Sequence, residues 1–189
     1  MEKKGNILGR DITGDEMWIY QYDPETKRQI AQWKTPNYPR PKEIRRSKSR
    51  VKTMLLNFFD IRGKAHYEVV PTAHTINLVY YLELLEKQGE KVRRKRTEIF
   101  AINSCILHHD DAPAHTALSA REFLATKQIA VLEHTVYSPD LAPNEFFLFQ
   151  KIKEILKGRH FGDIDDIRSN ITAVLNVIPQ NQFKNCFEV

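Results

Sequence analysis

The sequence predicts a mixed α/β domain, a five-stranded sheet flanked by helices, and three observations predict it. The first third carries aromatic and β-branched runs separated by turn signals, the pattern of antiparallel strands. After Pro71 the apolar residues recur at helical spacing. From residue 104 onward short apolar runs alternate with a helical stretch, which implies parallel strands joined by a crossover helix.

Residues 14–22 (GDEMWIYQY) and 28–33 (RQIAQW) are separated by Asp23, Pro24 and Glu25, a turn signal, and read as a hairpin. The run 51–59 (VKTMLLNFF) leads through Asp60, Ile61, Arg62 and Gly63 into 65–70 (AHYEVV), a second hairpin. Three or four antiparallel strands therefore open the chain. Leu78, Tyr81, Leu82 and Leu85 then line one helix face, and the charged stretch 86–96 gives that helix a polar end. Residues 104–109 (SCILHH) read as a strand running into Asp110, about 116–127 as a helix, and 129–134 as a second strand. The last third is helical: Leu148, Ile152, Ile155 and Leu156 line one face, and Ile164, Ile167, Ile171, Val174, Leu175 and Ile178 line another. Gly158 and Gly162 flank the break between the two. This strand and helix order is that of an RNase H-like, retroviral-integrase-type domain, an analogy that by itself carries no function.

A length of 189 residues with 41% hydrophobic content supports one domain, residues 1–189, around a single core. Lysine and arginine total 29 against 24 acidic residues, and the net charge of +5 suits a partner with a phosphate backbone. Cys105 and Cys186 lack any metal-ligand spacing, so neither a disulfide nor zinc is expected. No apolar run approaches the roughly 20 residues that cross a bilayer, and residues 1–10 lack the apolar stretch of a signal peptide. The chain reads as intracellular, with no membrane partner. The tripeptide Asn170, Ile171, Thr172 falls within a helical pattern and is not expected to carry a glycan.

Residues 33–52 (WKTPNYPRPKEIRRSKSRVK) interrupt the pattern with three prolines and eight basic residues against one Glu. The segment cannot be a central strand. It reads as a solvated basic loop or, with equal weight, as one that grips DNA or a partner through Arg40, Lys42, Arg45, Arg46, Lys48, Arg50 and Lys52. Residues 91–96 (KVRRKR) likewise read as phosphate contacts or as a solvated helix end.

Three acidic residues fall at strand or helix ends: Asp15 in the first strand, Asp110 after SCILHH, and Glu145 at the opening of the helix after SPDLAPN. Carboxylate oxygens are the preferred ligands of Mg²⁺ and Mn²⁺, and a two-ion site about 3.5–4 Å across activates the attacking and leaving oxygens of a phosphodiester. Adjacent parallel strands would bring such distant residues together. His108, His109 and His115 beside Asp110 invite a transition-metal reading, against which stands the plainer one that they pack at the strand end and orient the loop. Phe146, Phe147 and Phe149 read as core rather than as base-stacking groups.

Four blocks, TGDEMWIYQYDPETK (13–27), HHDDAPAHTA (108–117), YSPDLAPNEFFLF (137–149) and KGRHF (157–161), closely resemble those of mariner transposases and of proteins derived from them. Those derivatives include the transposase-derived half of a SET-domain methyltransferase fusion, although no methyltransferase segment is present. The blocks run in order along nearly the whole chain and are specific as a set. The resemblance implies that Asp15, Asp110 and Glu145 are the catalytic carboxylates and ligands of two Mg²⁺ or Mn²⁺ ions. The 34 residues between Asp110 and Glu145 match the mariner separation. Mariner enzymes usually carry Asp at the third place, whereas Glu is the habit of the related Tc branch. A second departure is Asp111, where the family block reads His-Asp-Asn.

By resemblance the reaction is divalent-metal-dependent DNA cleavage followed by strand transfer, cut-and-paste transposition, at TA targets, with no covalent protein–DNA intermediate. Residues 33–52 resemble the loop that reaches across to a partner subunit, which implies a homodimer, and the resemblance further implies a nuclear protein with DNA as its partner and no small-molecule cofactor. The N-terminal helix-turn-helix region that reads inverted repeats is expected to be absent. Two readings follow: a metal-dependent DNA-cutting and joining domain, or a non-enzymatic DNA-binding or dimerisation remnant of one.

Overall fold

The computed structural model describes residues 7–26, 47–70, 77–101, 103–132 and 138–188. Five strands, β1 (Asp11–Tyr20), β2 (Lys52–Asp60), β3 (Gly63–Val70), β4 (Ile106–His108) and β5 (Ala130–Leu132), form one sheet in the order β3-β2-β1-β4-β5. β1 pairs antiparallel with β2, and β2 with β3; β4 runs parallel to β1, and β5 to β4. The fold class is the predicted one, a mixed five-stranded RNase H-like sheet.

The helices are α1 (Leu78–Lys95), α2 (Thr97–Ala101), α3 (Pro113–Thr116), α4 (Leu118–Thr126), α5 (Gln150–Leu156), α6 (Ile164–Val177) and α7 (Gln180–Cys186). Asn77 caps α1 by accepting from the Tyr80 amide, and Asp163 caps α6 by accepting from the Asp166 amide. The two helices that feed the parallel strands end alike. Asn103 and Gln128 take left-handed φ values of 47° and 56°, and the Ser104 and Ile129 amides reach back to the carbonyls of Ile99 and Leu124. Such terminations satisfy the last helical carbonyls while turning the chain back into a strand.

The expected single core is in fact two, because both faces of the sheet are covered. On one face Met17, Ile19, Leu55, Phe59 and Val69 pack against Leu148, Phe149 and Ile152, the α6 residues Ile167, Ile171, Val174 and Leu175, and Phe183. On the other, Ile12, Met54, Leu56, Phe58 and Val70 pack against Tyr81, Leu84, Leu85 and Val92 of α1 and against Ala120 and Leu124 of α4. Alternation along β1 and β2 sends odd-numbered residues to the first face and even-numbered ones to the second. Gly14 belongs to the second, where a Cβ would collide with the Phe58 ring.

One expectation is corrected and another lies outside the described residues. Of the expected hairpin of 14–22 with 28–33, the first arm lies in β1, which pairs with β2 from Thr13 to Tyr20 and with β4 from Asp11 to Thr13, and residues 28–33 lie outside the described residues. After β1 the chain is clamped by the 157–161 block. The Gly158 amide donates to the Asp23 carbonyl, Phe161 to Gln21, and Tyr22 bridges and stacks on His160. Gly158, at φ 79°, has no room for a Cβ against Glu25.

The correction concerns Arg96, expected on a solvated or phosphate-facing helix end. It is 7% exposed and reaches Asp60, itself 1% exposed, through Nε at 2.5 Å and Nη2 at 2.9 Å. Arg96 Nη2 also donates to the Gly63 carbonyl, so the fork ties the end of α1 to the β2–β3 turn. Removing one partner of a buried pair strands the other charge. Asp60→Ala is therefore expected to cost about 3–5 kcal/mol in urea unfolding, and an Asp60→Leu/Arg96→Met double variant distinctly less. A double variant as unstable as the single would show that the pair contributes packing rather than charge compensation.

Candidate metal centre

The register of β1 against β4 builds the site. Thr13 pairs with His108, Asp15 stands two residues further along β1, and Asp110 follows two residues beyond the end of β4, near enough for its charge to act on Asp15. The third acid arrives from the π-helical turn Asn144–Phe149, which runs into α5 and carries Glu145 in its first turn. Single π-turns inside helices are rare and recur at functional sites. Its seat on the sheet is fixed by Asn144, fully buried, which accepts from Asn57 Nδ2 at 3.1 Å and donates to Thr13 Oγ1 at 3.2 Å. Asn57 is the cross-strand neighbour of Asp15. The structure thus brings Asp15, Asp110 and Glu145 together, and Asn144 holds the third to the strand that carries the first.

Their environments differ. Asp15 is buried, and burial pushes its pKa up to about 8; the charges of Glu16, Asp110 and Glu145 push in the same direction, while the Glu16 amide, donating to Oδ1 at 2.6 Å, pulls it down. Asp110 is held below the usual carboxylate range, chiefly by the hydrogen bond from His115, with burial opposing. Its Oδ1 accepts from His115 Nδ1 at 2.6 Å and from the Ala112 amide at 3.1 Å. The Glu145 carboxylate accepts no hydrogen bond among the described residues, and it is half-buried.

His115 is 3% exposed, and its Nε2 lies 3.4 Å from Glu16 Oε1. Burial opposes its charge, but the hydrogen bonds to Asp110 and Glu16 prevail and push its pKa up to about 10. His109 donates from Nδ1 to the Asp110 carbonyl at 2.8 Å, and burial lowers its pKa. His109, Asp110 and His115 each present a ligand atom within 4.8 Å of the others. The 2.6 Å contact between His115 and Asp110 is a charge-assisted hydrogen bond that engages one nitrogen and one oxygen of this group, while His109 Nε2 is buried without a hydrogen-bond partner. His115 thus orients the Asp110 loop, as the plainer reading of the histidines expects.

An oxygen-only set of clustered acids is the donor chemistry of Mg²⁺ and Mn²⁺. The desolvated Asp15 is short of positive charge, and beside it the fully buried Asn57 Oδ1 accepts no hydrogen bond. The residues fit a divalent cation. Sequence reading passed over Asn144, Asn57 and Glu16; the one available signal was a lone Asn in the apolar run VKTMLLNFF, since a buried amide needs a polar partner.

Phe149 is fully buried, and Phe146 and Phe147 pack against the same core, as expected. Asp111 is exposed at the rim. Of the basic segment, Arg40, Lys42, Arg45 and Arg46 lie outside the described residues. Lys52 belongs to β2 rather than to a loop and lies over the Trp18 ring at 3.7 Å, Lys48 sits 3.7 Å from Asp23 and over Tyr20, and Arg50 is exposed. No helix of the described residues is long and apolar enough to cross a membrane.

Sheet order and convergent acids define an RNase H-like domain of the kind found in DDE transposases. A family model described as "Transposase (partial DDE domain)" matches residues 23–102. The Mariner Mos1 transposase of Drosophila mauritiana is 32% identical over 167 residues, 88% of this chain and 48% of the relative. The human histone-lysine N-methyltransferase SETMAR is 31% identical over 164 residues, 85% of this chain and 23% of that protein. The chain thus spans about half, or less, of the curated relatives it matches. Among solved structures, a pre-cleavage Mos1 transpososome superposes with a TM-score of 0.89 at 28% identity, covering 98% of this chain and 54% of the other. A Mos1 mariner paired-end complex with Mn gives 0.86 at 30% identity over 96% of this chain and 52% of the other. The chain belongs to the mariner transposases, as a catalytic domain.

The raised pKa of Asp15 makes a stability test. A carboxyl whose folded pKa exceeds its unfolded value near 3.8 contributes stability below about 3.8 that is lost as pH rises through about 8. In EDTA, Asp15→Asn should therefore gain melting temperature on the wild type between pH 4 and 8 and hold a constant lead above that. His115 loses its own contribution only between about 6.5 and 10 and does so in both proteins. A lead independent of pH would show that Asp15 is not desolvated.

Proposed function

We propose that this domain performs divalent-metal-dependent DNA cleavage and strand transfer, with Asp15, Asp110 and Glu145 as the cation ligands. The convergence of three acids from β1, the β4 end and the π-turn around the desolvated Asp15 carries the reading. Complexes of the related Mos1 enzyme with Mn and with Mg support the class of ion, and two ions are the expected number. Bound cations would supply Lewis-acid stabilisation of the phosphodiester oxygens. The three carboxylates would bind and orient; Asn144 and the rigid sheet keep their spacing. Water attacks a phosphodiester, the P–O bond breaks, and a 3′-hydroxyl is released. That hydroxyl then attacks a target phosphodiester at a TA step, forming a new P–O bond and displacing another 3′-oxygen. No side chain is needed as a covalent nucleophile.

DNA and a second copy of the chain are the proposed partners, residues 33–52 the proposed gripping segment, and the nucleus the proposed place of action. Glu145 is a methylene longer than the Asp usual in mariner enzymes, and misplacement by about an ångström costs on the order of 100-fold in rate. In a supercoiled-plasmid nicking series with Mn²⁺, Glu145→Asp should raise the rate, Asp111→Asn should raise it by removing a charge beside Asp110, and Glu145→Ala should abolish it. Nicking by Glu145→Ala at the parent's rate would reject the third ligand, and inertness of every variant would favour the non-enzymatic remnant.

Duplex binding should be weak, sequence-independent and steeply salt-dependent. Neutralising Arg45, Arg46, Lys48 and Arg50 together should flatten the plot of log affinity against log salt by about 1 for each DNA phosphate that no longer meets a cationic side chain. An unchanged slope in fluorescence anisotropy would place the DNA elsewhere.

A further inference from the structure

We propose that His115 is a positioning residue for the cation site: anchored by Glu16, it occupies Oδ1 of Asp110 and leaves Oδ2 as the one oxygen that a divalent cation can take. The inference rests on the carboxylates being the cation site proposed above. Both hydrogen bonds to the Asp110 carboxylate, from His115 Nδ1 at 2.6 Å and from the Ala112 amide at 3.1 Å, fall on the same oxygen. Oδ2 accepts none among the described residues. A carboxylate pinned in this way cannot rotate to chelate, and it presents a single ligand atom at a fixed angle.

The ring that does the pinning is itself immobilised. Tyr81 packs on it with centroids 4.2 Å apart, His109 meets it edge-on at 5.0 Å, and Glu16 Oε1 stands 3.4 Å from its far nitrogen. Glu16 follows Asp15 in β1, and alternation puts its side chain on the opposite face of the sheet. The chain of contacts Glu16, His115, Asp110 therefore ties the strand that bears the first ligand to the loop that bears the second. Partners of this kind fix ligand orientation in metal sites, and their loss costs about 10–100-fold in metal affinity.

Substitutions separate the two nitrogens. The side-chain amide of Asn places its nitrogen as many bonds from Cα as Nδ1, and that of Gln matches Nε2. Mn²⁺ affinity of the full chain, read by electron paramagnetic resonance of the free ion, should stay within about threefold of wild type for His115→Asn. It should fall about 10–100-fold for His115→Gln. Melting temperature in EDTA compares the folding of the two variants. An Asp15→Asn/Asp110→Asn variant that binds Mn²⁺ as wild type does would reject the cation site itself. If that variant loses Mn²⁺ while His115→Gln binds as tightly as wild type, or His115→Asn binds as weakly as His115→Gln, the positioning role is overturned. Should either His115 variant fail to fold, Glu16→Ala must weaken Mn²⁺ binding and Glu16→Gln, which keeps an acceptor for the ring, must restore it; equal binding by the two overturns the proposal.

Discussion

The parallel pairing of β1 with β4 is short, and the site depends on it, because it makes neighbours of two stretches nearly a hundred residues apart. Thr13 beside His108 brings Asp110, just past the end of β4, within electrostatic reach of Asp15. A slip of one residue would move the end of β4, and Asp110 with it, along β1 and turn the side chains of β4 to the opposite face. What forbids the slip lies away from the acids: Ile12 and Leu107, paired in the same register, are both buried against α1 and α4. Burial of apolar side chains on one face of the sheet thus fixes the register that brings the two acids near each other.

That arrangement places acids where a sheet ordinarily has none. Asp11, raised to about 6 by burial, Asp15, raised to about 8, and Glu16 all lie on the central strand. The compensation is unequal. Asp110 has the His115 cation at hydrogen-bond distance, whereas Asp15 has a backbone amide and an uncharged Asn57 beside it. The positive charge that the cluster lacks is therefore missing at Asp15, which is where the proposed cation would supply it. Elsewhere in the fold the buried Asp60 has its own guanidinium, so the shortage is local to the site.

Much of this was legible in the sequence. The second hairpin, the long α1, the parallel pair and the helical last third all carry periodicities that the structure keeps, and the mariner-like blocks marked the three acids before any geometry was available. The failures have a common physical source. Arg96 sat in a basic run whose other members are solvated, and only the turn at Asp60, 36 residues away, decides that it is buried. The same holds for Asn144 and Glu16, whose roles exist only once β1, β2 and the π-turn are in place.

The three acids are not equivalent in freedom, and this bears on the Glu at position 145. Asp15 and Asp110 each have an oxygen held by a backbone amide, and Asp110 is held by His115 as well. Glu145 has its backbone held next door through Asn144, while its carboxylate accepts no hydrogen bond among the described residues. The helix cannot slide to absorb the extra methylene without breaking the buried bonds of Asn144 to Asn57 and Thr13. The added length must then be taken up by side-chain rotation, at the cost of ordering one more torsion whenever a cation is bound. In the proposed site, two fixed carboxylates and one adjustable one would leave Asp15 and Asp110 to define the cation's place and the third ligand to decide how often the set is complete.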